Sequence, residues 1–171
     1  CSPRPPEADQ TDRCQARSLG VQNERPVKLP RKKVPHLTVT AAVIQKDSRV
    51  LLAQRPATGL LGGMWEFPGG TMEKQDINLE ACLKREICEE LGVEVGIGAL
   101  FGKYKHAYTH FKISLFAFRC NLEDHLTPKN LASDAIQWVP IKSLSEYPMG
   151  KVDRQIADKL LEERLDESLP S

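Results

Sequence analysis

The sequence predicts an α/β domain, a mixed β-sheet sandwiched between helices, and three observations predict it. Runs of strand length, rich in β-branched residues, recur along the chain. A segment with four-residue apolar spacing interrupts them, and a second such segment follows the last of them. The composition, 40% hydrophobic and 27% charged over 171 residues, suits one globular domain with a tail.

Residues 1–36 are expected to form a linker or arm outside that domain. They hold six of the twelve prolines and almost no apolar periodicity. From residue 37 the texture changes. "LTVTAAVIQ" alternates as a strand does, "KDSR" makes a turn, and "VLLAQR" gives a second strand paired with the first. "PATGLLGGM" is a glycine-bearing loop that leads into "WEFPGG". Leu79, Leu83, Ile87 and Leu91 then recur at every fourth position, the single stripe of a helix laid on a sheet. Asn78 suits its N-cap and Gly92 its stop. Strands follow over Val93–Tyr104, "FKISLFAFRC" and "AIQWVP". "KVDRQIADKLLEERL" makes a final helix with Val152, Ile156 and Leu160 inward, so the domain spans residues 37–165 and residues 166–171 fray.

A formal net charge of +1 gives no whole-molecule case for a polyanion partner, so such binding needs a local patch. "RPVKLPRKKVPH" offers one: Arg25, Lys28, Arg31, Lys32 and Lys33 are spaced by prolines, free to follow a phosphate backbone or to act only as a solubilising linker. No apolar run approaches the roughly 18 residues of a membrane span, and the polar, proline-rich start does not read as a signal peptide. Five cysteines without framework spacing predict reduced thiols and an intracellular, cytoplasmic setting. Cys82, Cys88 and Cys120 fall in helix or strand and are expected to be buried. A chain that opens on Cys1 rather than methionine is expected to belong to something longer.

The chemistry concentrates in "REICEELGV", Arg85 to Val93. With Ile87 at the centre of the buried stripe, 100° per residue places Glu86 and Glu90 on one flank. Glu89 lies further round the same side, and Arg85 beyond it. Three carboxylates on one flank repel each other. They make either a solvated charged face balanced by Lys84 and Arg85, or a cage for a hard divalent cation, which takes oxygen ligands. The preceding "EFPGG" favours the cage, because paired glycines let a backbone approach a ligand closely.

These residues resemble the Nudix family, whose signature is G-x5-E-x7-R-E-U-x-E-E-x-G-U, U being a bulky aliphatic. "GTMEKQDINLEACLKREICEELGV", Gly70 to Val93, matches the first glycine, the R-E-I-x-E-E block and the closing G-V. It departs twice: Asp76 replaces the first glutamate, and eight residues rather than seven separate it from Arg85. The resemblance implies the Nudix fold and hydrolysis at a phosphorus of a nucleoside diphosphate derivative. It also implies that Glu86, Glu89, Glu90 and the Gly70 carbonyl bind Mg²⁺ or Mn²⁺, and that Arg85 orients Glu86, a residue that helps activate water in some members.

A second resemblance covers nearly all of residues 15–165. "RPATGLLGGMWEFPGG", the basic run, "HAYTHFKISL" and "YPMGKVDRQIADKL" together are similar to the C-terminal domain of MutY-type adenine DNA glycosylases. That domain has the Nudix fold and reads 8-oxoguanine opposite adenine. Its phenylalanine-serine-histidine loop corresponds to Tyr108, Thr109 and His110, an aromatic, a hydroxyl and an imidazole suited to an oxidised purine. In those proteins an iron–sulfur loop precedes the linker. Cys14 resembles its last cysteine, but the partner six positions earlier is Ala8, so no intact iron–sulfur cluster is expected in this chain. Nor is adenine excision, since the 171 residues include no glycosylase domain.

Two functions follow from these readings. One is a Mg²⁺-dependent diphosphatase acting on a purine nucleotide such as 8-oxo-dGTP. The other is a non-hydrolytic module that reads 8-oxoguanine in DNA, with Arg31, Lys32 and Lys33 on the DNA backbone. A Nudix hydrolase for a nucleotide sugar or dinucleotide is a third.

Overall fold

A computed structural model describes residues 28–169, and the chain divides into two units, Cys1–Lys33 and Val34–Ser171. Arg25, Cys1 and Cys14 lie outside the described residues. Residues 28–33, with Arg31, Lys32 and Lys33, are exposed and carry no regular structure.

The larger unit holds β1 (His36–Lys46), β2 (Arg49–Gln54), β3 (Trp65–Glu66), β4 (Gly69–Thr71), α1 (Leu79–Leu91), β5 (Gly96–Ala107), β6 (Lys112–Asn121), β7 (Ala135–Pro140), a 3₁₀ turn (Ile141–Glu146) and α2 (Lys151–Glu167). The strands join in one mixed sheet of order β3-β2-β1-β6-β5, with β4 added to β1 and β7 to β2. Helices cover both of its faces, as the sequence predicts. β1 and β6 run parallel from His36↔Lys112 to Ile44↔Cys120, which places β1 in the middle. Its neighbours on the chain point to opposite cores: Ala41 and Val43 join Ile156 and Leu160 of α2, while Ala42 and Ile44 join Leu83, Ile87 and Leu91 of α1. Burial on both faces is why the alternation of β1 gives way to the unbroken apolar run "AAVI", residues 41–44.

The helices follow their periodicity. Asn78 caps α1 by accepting from Ala81 N–H at 2.7 Å, and Gly92 ends it in the left-handed region at φ 64°. Leu83, Ile87 and Leu91 are fully buried, each worth about 1.5–3 kcal/mol. That stripe fixes which flank of α1 faces solvent. Cys88, expected inside, is exposed: it sits a hundred degrees round from Ile87, outside the stripe, whereas Cys82 and Cys120 are buried.

Three boundaries differ from expectation. β1 and β2 pair only near their turn, at Gln45↔Val50 and Lys46↔Arg49, through Asp47 and Ser48 at positive φ. Beyond it each strand finds other partners. β5 starts at Gly96, and Val93 and Val95 reach the core from the connection instead. "WEFPGG", to which the sequence assigns no element, contributes to two short strands. Trp65 and Glu66 pair with β2, Pro68 has no N–H to continue the ladder, and Gly69–Thr71 cross to β1. Among the described residues no helix is long and apolar enough to cross a membrane.

Candidate active site

β4 is pressed against β1 by its sequence. Gly69 has φ 154°, and a Cβ there would stand 2.0 Å from the Thr40 carbonyl oxygen, so only glycine fits. At Gly70 a Cβ would lie 2.2–2.6 Å from the carboxyl atoms of Glu86. The missing side chain is therefore the cradle in which that carboxylate rests. Glu90, one turn on, accepts from Gly69 N–H at 3.2 Å. Thr40, fully buried beneath, donates to the Gly70 carbonyl at 3.4 Å, with the Cys82 thiol beside it.

Arg85 organises the outer side. Its Nη1 donates to Glu86 at 2.9 Å and to Glu89 at 3.3 Å, while Nε and Nη2 donate to Asp76 at 3.0 and 2.8 Å. Glu86 is 15% exposed and Glu89 60%. Of the three glutamates, Glu86 and Glu90 are thus brought to the glycine pair. Glu89 is not; it turns outward to Arg85, as its position on the helix wheel implies.

Sequence reasoning missed the residues across from them. Arg55, Glu66 and Asp153 share a cavity of ≈ 360 Å³ with Glu86, Glu90, Gly69 and Gly70. Arg55 Nη1 donates to Glu66 at 2.8 Å, and Asp153 accepts from Phe67 N–H at 3.1 Å. The signals were present: a glutamate two residues before the paired glycines' proline, and an acid only 60° from the centre of the α2 apolar stripe. Burial pushes Glu66 up to about 7 against the opposing pull of Arg55, with Asp153 and Glu90 adding to the rise. Burial likewise raises Glu90 to about 7, Asp153 to about 6, and Glu86 above the usual carboxylate range. Asp76 goes the other way, held low by Arg85.

Tyr108 also lines this cavity, its phenol raised by burial. Its ring stacks on Phe111, centroids 4.7 Å apart at 28°, and meets His106 edge-on at 4.5 Å. Tyr108 N–H donates to the Phe111 carbonyl at 2.7 Å, closing a tight turn whose tip is Thr109 and His110. Both tip residues are exposed and neither lines the cavity. Only the first member of the expected recognition triplet is therefore brought in. Arg31, Lys32 and Lys33 belong to the other unit.

Among the described residues, no three histidine, cysteine or acidic side chains are drawn together as a ready-made ligand set. The donors at Gly70 nonetheless fit a hard divalent cation: they are all oxygens, the missing Cβ leaves Glu86 its place, and Glu86 and Glu90 are half-buried carboxylates raised further by neighbouring negative charge.

Comparison with known proteins agrees with this architecture. A family profile described as "NUDIX domain" matches residues 39–159. The chain is 33% identical to the CTP pyrophosphohydrolase of Escherichia coli (strain K12), over 68% of this chain and 85% of that protein. It is 39% identical to the 8-oxo-dGTP diphosphatase of Proteus vulgaris, over 48% of this chain and 73% of that protein. An adenine DNA glycosylase of Mus musculus is 31% identical over 53% of this chain, a match confined to 17% of the glycosylase. The solution structure of the E. coli ORF135 protein superposes with a TM-score of 0.67 at 29% identity, covering 83% of this chain and 100% of that one. With its fold, its glycine-supported glutamate helix and this match in hand, the chain belongs to the Nudix hydrolase family.

Proposed function

We propose that the chain hydrolyses a nucleoside triphosphate, 8-oxo-dGTP or a similar oxidised purine nucleotide, with release of pyrophosphate. The observation that carries this reading is a single cavity bordered both by Glu86 and Glu90 at the glycine pair and by the Tyr108–Phe111 stack. The aromatic wall offers a face on which a base stacks. Arg55, the cavity's guanidinium, suits phosphate oxygens. Arg85 holds Glu86 in place. Glu66, raised to about 7 by burial and outside the proposed metal ligands, suits the transfer of a proton from a water attacking phosphorus as the bond to the leaving phosphate oxygen breaks. Mg²⁺ or Mn²⁺ bound by Glu86, Glu90 and the Gly70 carbonyl, with Glu89 turning in from the rim, would neutralise the phosphates and acidify that water. The names of the two bacterial relatives, CTP pyrophosphohydrolase and 8-oxo-dGTP diphosphatase, support a triphosphate substrate.

The test is pyrophosphate release across a panel of 8-oxo-dGTP, dGTP and CTP with Mg²⁺ or Mn²⁺. Release is expected from the oxidised nucleotide, and Glu86→Gln and Glu89→Gln should abolish it without unfolding the protein. Silence of the unmodified protein across the whole panel sinks the reading.

The aromatic stack and the glycosylase match also favour a second reading, in which this domain reads 8-oxoguanine in DNA and the glutamates are an inherited charged flank. Duplex carrying 8-oxoguanine opposite adenine should then bind better than undamaged duplex. Alanine at Thr109 or His110 should erase the preference, and neutralising Lys32 and Lys33 should weaken both duplexes alike. Indifference to the lesion removes this reading.

A further inference from the structure

Asp76 stands where the sequence departs twice from the Nudix signature. Its carboxylate is one methylene shorter than glutamate, and one residue too many separates it from Arg85. The structure relates the two departures. Asp76 is pinned by reciprocal hydrogen bonds to Glu73: its N–H donates to the Glu73 carbonyl at 3.1 Å, and its Oδ2 accepts from Glu73 N–H at 2.8 Å. Its side chain is 4% exposed and grips Arg85 side-on, Oδ1 accepting from Nε at 3.0 Å and Oδ2 from Nη2 at 2.8 Å. The next residue, Ile77, is 87% exposed and precedes the N-cap Asn78, so its side chain contributes spacing rather than packing.

A bidentate grip fixes the plane of a guanidinium, which a single ion pair does not. With Nε and Nη2 engaged, only Nη1 is left to reach Glu86 and Glu89, and both bonds form. Nη2 also reaches the Thr71 carbonyl at 3.3 Å, tying the guanidinium to the end of β4. We infer that Asp76 is a positioning residue for the glutamate site: the spacer Ile77 gives the loop the slack to deliver a shorter carboxylate to Arg85, so the two departures compensate and Arg85 stays aimed at Glu86. The catalytic consequence rests on the proposed function, whereas the geometry stands apart from it.

The experiment compares the unmodified protein with Asp76→Ala, Asp76→Asn and a compensated variant, Asp76→Glu with Ile77 deleted, which restores the family spacing. Three readouts are taken: the Arg85 Nε–H resonance in metal-free protein, Mn²⁺ affinity by electron paramagnetic resonance, and the kcat and KM of pyrophosphate release. The unmodified protein should show a protected Nε–H signal. Asp76→Ala should lose it, weaken Mn²⁺ binding about 10–100-fold, and lower kcat with KM nearly unchanged. The compensated variant should recover all three. Asp76→Asn, which keeps the shape and drops the charge, serves if the alanine variant fails to fold. A folded Asp76→Ala or Asp76→Asn protein with native Mn²⁺ affinity overturns the inference, and so does a folded compensated variant that recovers nothing. If no protein releases pyrophosphate yet the resonance and Mn²⁺ arms behave as stated, the proposed function fails and the positioning role stands.

Discussion

Alanine at Gly70 and alanine at Gly69, adjacent in β4, should fail in opposite ways. At Gly70 the added Cβ meets the Glu86 carboxyl group at 2.2 Å, and ordinary contact begins at 3.4 Å, so that carboxylate must retreat by about 1.2 Å. It is the far end of a flexible side chain, so the fold absorbs the change for less than about 1 kcal/mol. Catalysis does not, because a displacement of roughly 1 Å in a reacting constellation costs about a hundredfold. At Gly69 the added Cβ meets backbone, the Thr40 oxygen at 2.0 Å and the Ala41 Cα at 2.8 Å, with φ at 154°. Backbone within a sheet cannot step aside, so we expect a loss of about 2–4 kcal/mol, or roughly 6–15 °C in Tm. The assay pairs pyrophosphate release from 8-oxo-dGTP with thermal unfolding followed by circular dichroism. Gly70→Ala should be about a hundredfold slower at a near-native Tm. A kcat within threefold of the unmodified protein would refute the idea that catalysis uses Glu86 in its seat on Gly70. A Tm as low as that of Gly69→Ala would refute the argument from side-chain flexibility.

Three further outcomes are expected. Asp153 titrates at about 6 when folded against 3.8 ordinarily, so its contribution to stability is full below pH 3.8 and is lost as pH rises through 6. Asp153→Asn, whose amide oxygen can still accept from Phe67 N–H, should flatten that decline and stabilise the fold at pH 7.5 by at most about 3 kcal/mol, at about 1.4 kcal/mol per pH unit; an unchanged pH profile in thermal melts would count against it. Tyr108→Leu should raise KM for the oxidised purine nucleotide by about 5–100-fold with kcat little changed, the scale of one base–aromatic stack, and steady-state kinetics on 8-oxo-dGTP would show it. In a Cys1→Ser/Cys14→Ser background, Ellman's reagent should modify Cys88 quickly and Cys82 and Cys120 only on unfolding, since only the first is exposed; three equally fast thiols would contradict that arrangement.

Much of the fold is legible in the sequence because packing and periodicity are local signals. Leu83, Ile87 and Leu91 repeat every fourth residue, and the structure buries all three; Asn78 and Gly92 bound their helix as their chemistry requires. "WEFPGG" misleads because its strands are only two and three residues long and exist only through distant partners, Ala53 and Gln54 for one and residues 39–41 for the other. No propensity within six residues encodes pairings made that far along the chain.

The site divides along the same line. Two helix turns carry Arg85, Glu86, Glu89 and Glu90, so the sequence by itself determined that three carboxylates share a flank with Arg85 beyond them, and the helix wheel already ranked Glu90 inward and Glu89 outward. Only the tertiary structure decided what that flank faces. It brought Gly69 and Gly70 under Glu90 and Glu86, set Arg55, Glu66, Asp153 and Tyr108 around the same cavity, and left Thr109 and His110 outside it. The reason is physical: spacing along a helix fixes direction within a few residues, whereas which side chains meet across a cavity depends on how strands far apart in the chain come into register.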